Sequence, residues 1–496
     1  MHYHLNQRPR SRIRKPRWWL GAIGGGLLAL ILWLTVTNPY GKISIIRAPY
    51  TTSVSHGTIS VHKQFSLTVY NGTLADTFGY WVKDGFLLLQ NTLFGSRPTK
   101  ARTTAGIISE IHAKRFDPTK PYLISGDQFS VLYPRNLGVF YNDLLNPNTA
   151  LSQADWDNRQ RIYLQSALYA LDAFSTGGRI TTTVEPVSPH AVVLAEVHPG
   201  SVASDSLYGI LYALHALQDD TRYAGGPYRL ETVAATRAVI AGHRGDLKRL
   251  LALYLDDVRD PATGLVKRTA TLSGARDGVH RQGSFYDNVI LWRTLGLAKQ
   301  LGVSDISDAD LATLRNTILA TYWDEAGGHF IDDFSPHAAG TNYSSDWLIA
   351  LPAGLLSPDS LADLPYLQRS VAFMRAQGVT KPLPVKYTEH AGLASEPWAT
   401  RTFVPNYGSD AIWSYWGAQY LTLLASLYHQ TGDQAYRDEA TSDIDLYNQK
   451  IVQYRGFPET FTPDGDFLSS IFYKSIRQTG WVVQFETAVQ ELGSPL

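Results

Sequence analysis

The stretch GFPETFTPDGDF, Gly456 to Phe467, sets a single carboxylate, Glu459, between a proline and a run of aromatics. Phe457 and Phe461 flank it, and Tyr473 and Trp481 follow. An acid on a turn between two helices has a plain reading, a capped surface turn. Aromatic rings around it offer a second: a carboxylate at the mouth of a cavity that stacks sugar faces. Cleaving a glycosidic bond takes two carboxyls, one protonated acid and one base or nucleophile. Further acids stand at loop–helix junctions: Asp205 in SVASDSLY, Asp277 in GARDGVHR, Asp287 in GSFYDN and Asp410 in NYGSDAIW. Asp277 reads equally as part of a solvated charged loop, and Asp287 as the N-cap of its own helix.

The segments that must position these acids are helical in pattern. Apolar residues recur every three or four positions in RQRIYLQSALYALDAF, SDSLYGILYALHAL, YDNVILWRTLGLAKQLG, DADLATLRNTILATYW and SDAIWSYWGAQYLTLLASLYHQ. Ser204, Ser307, Ser345, Ser409 and Thr479 stand where N-caps are expected. A loose unit recurs: a helix ends in aromatics, an acidic Gly turn follows, then a polar stretch and the next helix. LALYLDDVRDPATGLVKR, LATYWDEAGGHFIDD and KIVQYRGFPETFTPDGDF are three copies. Helical hairpins bury their faces only against neighbours. The loose period and long loops predict hairpins closed into a ring, an all-α (α/α)6 toroid over residues 76–496. Two long loops, 175–204 and 379–409, are predicted walls of a funnel. Residues 37–75 alternate with β-rich character and predict a short extended segment before the toroid.

Motif by motif, from Tyr133 to Glu486, the chain resembles the six-hairpin glycosidases, the glycogen-debranching, glucoamylase, trehalase and processing-glucosidase-like enzymes. YPRNLGVFYNDLL resembles the early Arg-Asp motif that clamps the terminal sugar, here with Tyr133, Arg135 and Asn136. SVASDSLYGILYAL resembles the acidic position before an aromatic helix, Asp205. The 260–295 segment resembles the one that carries a general-acid Asp before an Arg and a long helix. NYGSDAIWSYWG resembles a Trp-bearing helix start, with Asp410 and Trp413. GFPETFTPDGD and RQTGWVVQF resemble the last motif, a catalytic base Glu followed by a Gln/Trp helix. The resemblance implies Glu459 as base and Asp277 as acid, with Asp287 as the rival acid. It implies sugar contacts from Tyr133, Arg135, Asn136, Asp205, Arg281, Asp287, Asp410, Trp413, Gln478 and Trp481. It further implies an inverting, glucosidase-like hydrolase without cofactor. Asn136 departs from the family's Asp and removes a charge-assisted bond to the sugar, which sets the usual terminal-glucose preference aside.

The N-terminus carries a separate message. Arg8, Arg10, Arg12, Arg14, Lys15 and Arg17 precede an uncharged run, Trp18 to Val36. About 20 apolar residues span a bilayer, and a basic flank stays cytoplasmic. The expectation is a tail over 1–17, a single transmembrane helix over 18–36 and an extracytoplasmic domain at the cell membrane; a cleaved signal peptide is the rival. Lys plus Arg equal Asp plus Glu, 44 each, which gives no electrostatic case for nucleic acid. No cysteine is present, excluding disulfides and thiolate metal sites. His190, His198 and His329 lack metal-ligand spacing. Two other functions compete: a polysaccharide lyase or sugar epimerase drawing on Tyr407, His390 and Arg401, and a glycan-binding protein without turnover.

Overall fold

The structure, a computed structural model, describes residues 18–37, 44–46, 50–55, 58–63, 69–71, 74–117, 119–120, 122–127, 131–146, 151–188, 191–196, 201–219, 228–270, 272–276, 279, 281–335, 342–390, 398–470 and 473–493. The N-terminal part holds α1 (Trp18–Thr37), β1 (Ser44–Ile46), β2 (Tyr50–Ser55), β3 (Thr58–Lys63), β4 (Val69–Asn71) and α2 (Leu74–Phe94). Then come α3 (Thr104–Arg115), a short 3₁₀ helix (Pro134–Leu137), α4 (Gln153–Gly177), β5 (Thr183–Ser188), β6 (Ala191–Ala195) and β7 (Val202–Ala203). The middle of the chain gives α5 (Ser206–Gln218), α6 (Tyr228–Gly242), α7 (Arg244–Val258), β8 (Leu272–Ser273), α8 (Phe285–Gln300), α9 (Asp308–Tyr322), β9 (Trp323–Asp324) and β10 (His329–Phe330). A second 3₁₀ helix (Ser345–Ala350), α10 (Leu364–Ala376), α11 (Trp398–Phe403), β11 (Ile412–Trp413), α12 (Ser414–Thr431), α13 (Gln434–Tyr454), β12 (Thr460–Phe461) and α14 (Val482–Glu491) complete it.

The helices form two concentric layers. Along the inner layer, 134–137 packs on α5, α5 on α8, α8 on 345–350, 345–350 on α12, and α12 on α14. The ring closes where Trp481, at the start of α14, stacks on Phe140, with centroids 4.6 Å apart and planes at 21°. Two glycines allow the close crossings this requires. A Cβ on Gly209 would sit 1.9 Å from the Pro134 carbonyl oxygen, and one on Gly480 would sit 2.0 Å from the Tyr141 hydroxyl. Outside, α4 backs α5, α9 backs α8 and α13 backs α12, while α13 reaches round to α3.

Burial patterns explain the layers. All of α5 except His215 and Gln218 is buried, as expected of a helix covered on every side. In α13 only Tyr436, Ala440, Asp443, Ile444, Tyr447 and Ile451 are buried, one stripe at helical spacing. The predicted closed ring of hairpins is therefore what the contacts show. The long loop after α4 differs from expectation: much of it is β-structure. β5 and β6 pair, and β1 and β4 extend the sheet in the order β4-β1-β6-β5, all antiparallel. The sequence predicts a loop here, although the continuous apolar run Val192, Val193 and Leu194 fits a buried strand.

Among the described residues no helix is long and apolar enough to cross a membrane. The uncharged α1 has 20 residues, and side chains at both its ends lie outside the described set. It does not stand apart from the domain: Ile31 is buried with Tyr80 and Trp81 of α2 and Val193 and Ala195 of β6, and Leu27 packs on the same cluster. The basic tail 1–17 lies outside the described residues.

Candidate active site

Because the inner helices alternate with outer ones in antiparallel hairpins, all the inner N-termini fall at one end of the ring. Cross-contacts between them confirm this. The Ser204 hydroxyl, just before α5, donates to Asp287 in the first turn of α8 at 2.5 Å. Arg281, before α8, donates to Asp346 in the 345–350 helix at 2.6 Å. Ser414, the first residue of α12, donates from both its backbone N–H and its Oγ to the Glu459 carbonyl, each at 3.1 Å. The positive ends of the inner helices thus face one mouth, which favours acids and anions there.

Glu459 is fixed at that mouth and is not on a surface turn. Phe457, Thr460 and Phe461 are fully buried, and Glu459 is 9% exposed. Its backbone N–H donates to the Ile476 carbonyl at 2.8 Å. Immediately after it, β12 pairs with β11, placing Thr460 opposite Trp413 and Phe461 opposite Ile412. The Tyr473 hydroxyl donates to the carboxylate Oε2. Burial, and then the neighbouring Glu459 charge, push the Tyr473 phenol well up, so it remains a donor. Tyr473 packs edge-on to Tyr407 at 4.8 Å, and Tyr407 lies 4.9 Å from Trp413 and accepts its indole N–H at 3.1 Å. The Tyr473 phenol thereby helps orient the Glu459 carboxylate in an aromatic wall, with half-buried Tyr407 and Tyr473 at its edge. Asp410 lies half-buried three residues before Trp413, its carboxyl pushed up by burial.

A second carboxylate group lies against the aromatic wall, through Tyr387 and Gly408, and the sequence did not single it out. Arg276 and Arg281 both grip Asp332, at 2.9 and 3.0 Å, and Arg281 also holds Asp346. Tyr387 donates to Asp346 at 2.9 Å, and Arg276 lies over the Tyr387 ring. Arg276 also donates to the Gly408 carbonyl, beside Tyr407. All five side chains are buried. Burial pushes the Asp332 carboxyl up to about 6, against the pull of Arg281. For Arg281 burial works the other way, but Asp346 and Asp332 prevail and raise it well above the ordinary guanidinium range. Tyr387 meets Trp413 edge-on at 5.4 Å, so the ionic cluster and the aromatic wall are in contact. The adjacent acids HFIDDF were the only hint in the sequence.

The remaining predicted residues divide. Asp205, at the start of α5, accepts from the Tyr286 hydroxyl at 3.0 Å, and Arg281 lies over the Tyr286 ring at 5.7 Å. Asp287 is not the N-cap of α8. Ser284 is, accepting from the Asp287 N–H at 3.0 Å and donating to the Asp287 carboxylate at 2.5 Å. Burial pushes the Asp287 carboxyl up. Arg135 donates to the Gly274 carbonyl at 2.7 Å and lies over Tyr133; Asn136 donates to the Ser125 hydroxyl. Trp481 lies between Phe140 and Trp413, its planes within 22° of both, so rings cover its faces. Gln478 turns away from Glu459: it accepts from Lys114 Nζ at 2.8 Å and donates to the Arg97 carbonyl. Asp277, His190 and His198 lie outside the described residues, so the separation of Glu459 and Asp277 is not defined. His329 is a core histidine stacked on Phe373 at 4.1 Å, its pKa lowered by burial. Of the residues drafted for a lyase, His390 sits beside Glu389 at 3.5 Å and Arg401 is exposed. Among the described residues no group of His, Cys, Asp and Glu could hold a metal ion.

No family model matches the chain, and no curated protein matches it. Solved structures of similar shape include a cellobiose 2-epimerase from Bacillus thermoamylovorans, 11% identical over 82% of this chain and 100% of that one, with a TM-score of 0.49. A mannosylglycerate hydrolase from Thermus thermophilus is 12% identical over 77% and 100%, with a TM-score of 0.48. A glucoamylase from Hypocrea jecorina is 13% identical over 79% and 72%, also at 0.48. At these scores the overlays add nothing to the closed ring, which rests on contacts within the chain.

Proposed function

We propose that the ring is a carbohydrate-active enzyme, an inverting glycoside hydrolase with Glu459 as base, held at a membrane by its N-terminal apolar helix. The observation that carries this reading is Glu459 itself: a nearly buried carboxylate, oriented by Tyr473, in an aromatic wall at the end of the ring where inner helix N-termini converge. Glu459 takes the proton from a water that attacks the anomeric carbon. Asp277 protonates the leaving oxygen; in the sequence it follows Arg276 and precedes Arg281. Inversion requires the two carboxyls to stand about 6.5–9.5 Å apart, leaving room for the water. The membrane part of the reading rests on the sequence, six basic residues followed by an uncharged helix.

The test is a screen of the full chain against a mixed oligosaccharide pool, followed by the anomeric configuration of the first product. New reducing ends with inverted configuration are expected. An unsaturated product means a lyase, an isomerised sugar an epimerase, and retention without turnover a binding protein; each of these ends the proposal. Asp277→Asn refines the assignment: substrates with good leaving groups need no protonation and lose less rate than natural glycosides.

A further inference from the structure

The apolar face of α2 has no counterpart in the ring. Phe78, Val82, Phe86, Leu89 and Leu93 recur at steps of four, four, three and four, one stripe of a helix. Every one of them is exposed, Phe86 by 65%, and Phe94 extends the stripe at its end. The opposite side of α2 is fixed: Tyr80 and Trp81 are buried against Ile31 of α1 and against β6, and Lys83 bridges to Glu185 of β5 at 2.6 Å. The stripe is thus presented rigidly on the outside of the protein. α1, which packs on α2, also exposes Leu28, Leu30, Leu32, Trp33 and Val36.

A charged cavity adjoins this surface. It measures about 500 Å³ and lies where Leu87, Gln90 and Asn91 of α2 meet Arg97, Lys114 and Lys120. One acid, Asp127, shares it and is held by the Ser96 hydroxyl at 2.6 and 2.7 Å; Lys114 is shared with Glu110 and Gln478. An apolar stripe bordered by cations has the two halves of an interfacial helix: one face for acyl chains, a rim for anionic headgroups. We infer that α2 lies in the plane of a bilayer surface, its stripe among the acyl chains and the Arg97–Lys114–Lys120 cavity at the phosphodiester level. The ring is then fixed in orientation at the membrane. This rests on the membrane part of the function proposed above. It adds a second contact, one for which no helix needs to cross the bilayer.

The chain contains no cysteine, so single labels can be placed without altering it otherwise. The full chain carrying Phe86→Cys or Leu93→Cys, or Ala312→Cys on the exposed side of α9 as a control, is coupled to an environment-sensitive fluorophore. It is then reconstituted with vesicles of phosphatidylcholine and phosphatidylglycerol. Probes at 86 and 93 are expected to lose most of their emission to brominated acyl chains and little to aqueous iodide, with the reverse at 312. Replacing phosphatidylglycerol by neutral lipid, or combining Arg97→Gln with Lys120→Gln, is expected to weaken the acyl-chain quenching at 86. Iodide access at 86 equal to that at 312, on chains that float with vesicles, overturns the inference and leaves the membrane anchor standing. Protection from iodide without quenching by brominated lipid means that a second copy or another protein covers the stripe, and overturns it too. Chains that do not float with vesicles remove the anchor and the inference together.

Discussion

Glu459 and Asp332 occupy the same end of the ring and are both nearly buried, yet they are held in opposite ways. Asp332 is gripped by two guanidiniums, and Asp346 beside it by a guanidinium and a phenol. Glu459 accepts from the Tyr473 phenol at Oε2, with aromatic rings beyond that phenol. Burial outweighs the two guanidiniums and raises the Asp332 carboxyl to about 6. In the proposed function the ionic cluster is a scaffold, tying Arg276 and Arg281 to Asp332, the 345–350 helix and Tyr387, and Glu459 is the base.

The largest effect that would break this comparison is on stability. Arg281→Met leaves Asp346 with the Tyr387 phenol but no guanidinium and Asp332 with Arg276 alone, and removing one partner of a buried pair costs about 3–5 kcal/mol. Urea unfolding of the chain in detergent should show that loss; a change under about 1 kcal/mol, the scale of a surface pair, would mean the cluster is not a scaffold. Glu459→Gln should do the opposite. It should leave the unfolding midpoint almost unmoved while turnover falls by at least about a hundredfold, the low end of a positioned base's contribution, with substrate affinity little changed. Full activity in that variant would return Glu459 to a structural role. Tyr473→Phe removes the orienting donor and should be milder, about tenfold in kcat, the low end of about 1.5–3 kcal/mol for a hydrogen bond to a charged group; a larger loss than in Glu459→Gln would shift the chemistry to Tyr473.

The smallest expected effect is a pH dependence. The folded-state pKa of Asp332 is raised to about 6, above the unfolded value of about 3.9. The folded chain therefore binds the extra proton between these values, and stability falls with rising pH across that window. The contribution is complete below about pH 4 and is lost as pH passes through about 6. Unfolding midpoints at acidic and neutral pH, compared between the natural chain and Asp332→Asn, should show a flatter pH dependence in the variant. An unchanged slope would assign that proton to another group.

Much of the architecture could be read from residue order, since helix periodicity and capping depend on near neighbours. Ser307 forms the expected capping box with Asp310, and the hairpin repeat predicted the closed ring. The same local logic failed where the ring supplies the partner. Ser204 reads as a cap, but its hydroxyl serves Asp287, 83 positions away. Ser345 donates to the Lys386 carbonyl, and Thr479 to the Phe457 carbonyl. Ser409 lies before β11 and does not start a helix, since α12 begins at Ser414. Trp481 reads as a sugar platform, but closing the ring covers both its faces.

What the sequence determined by itself is the kind of protein: a run of amphipathic helices with a recurring hairpin unit, an uncharged N-terminal segment, and one acid among aromatics. Tertiary structure alone decided which acids share the mouth and what holds each of them. Arg276 and Asp332 are 56 residues apart, and Asp346 and Tyr387 41. Such pairs form only when the ring brings inner N-termini together, because burial in a shared low-dielectric end, not spacing along the chain, makes each charge require a partner.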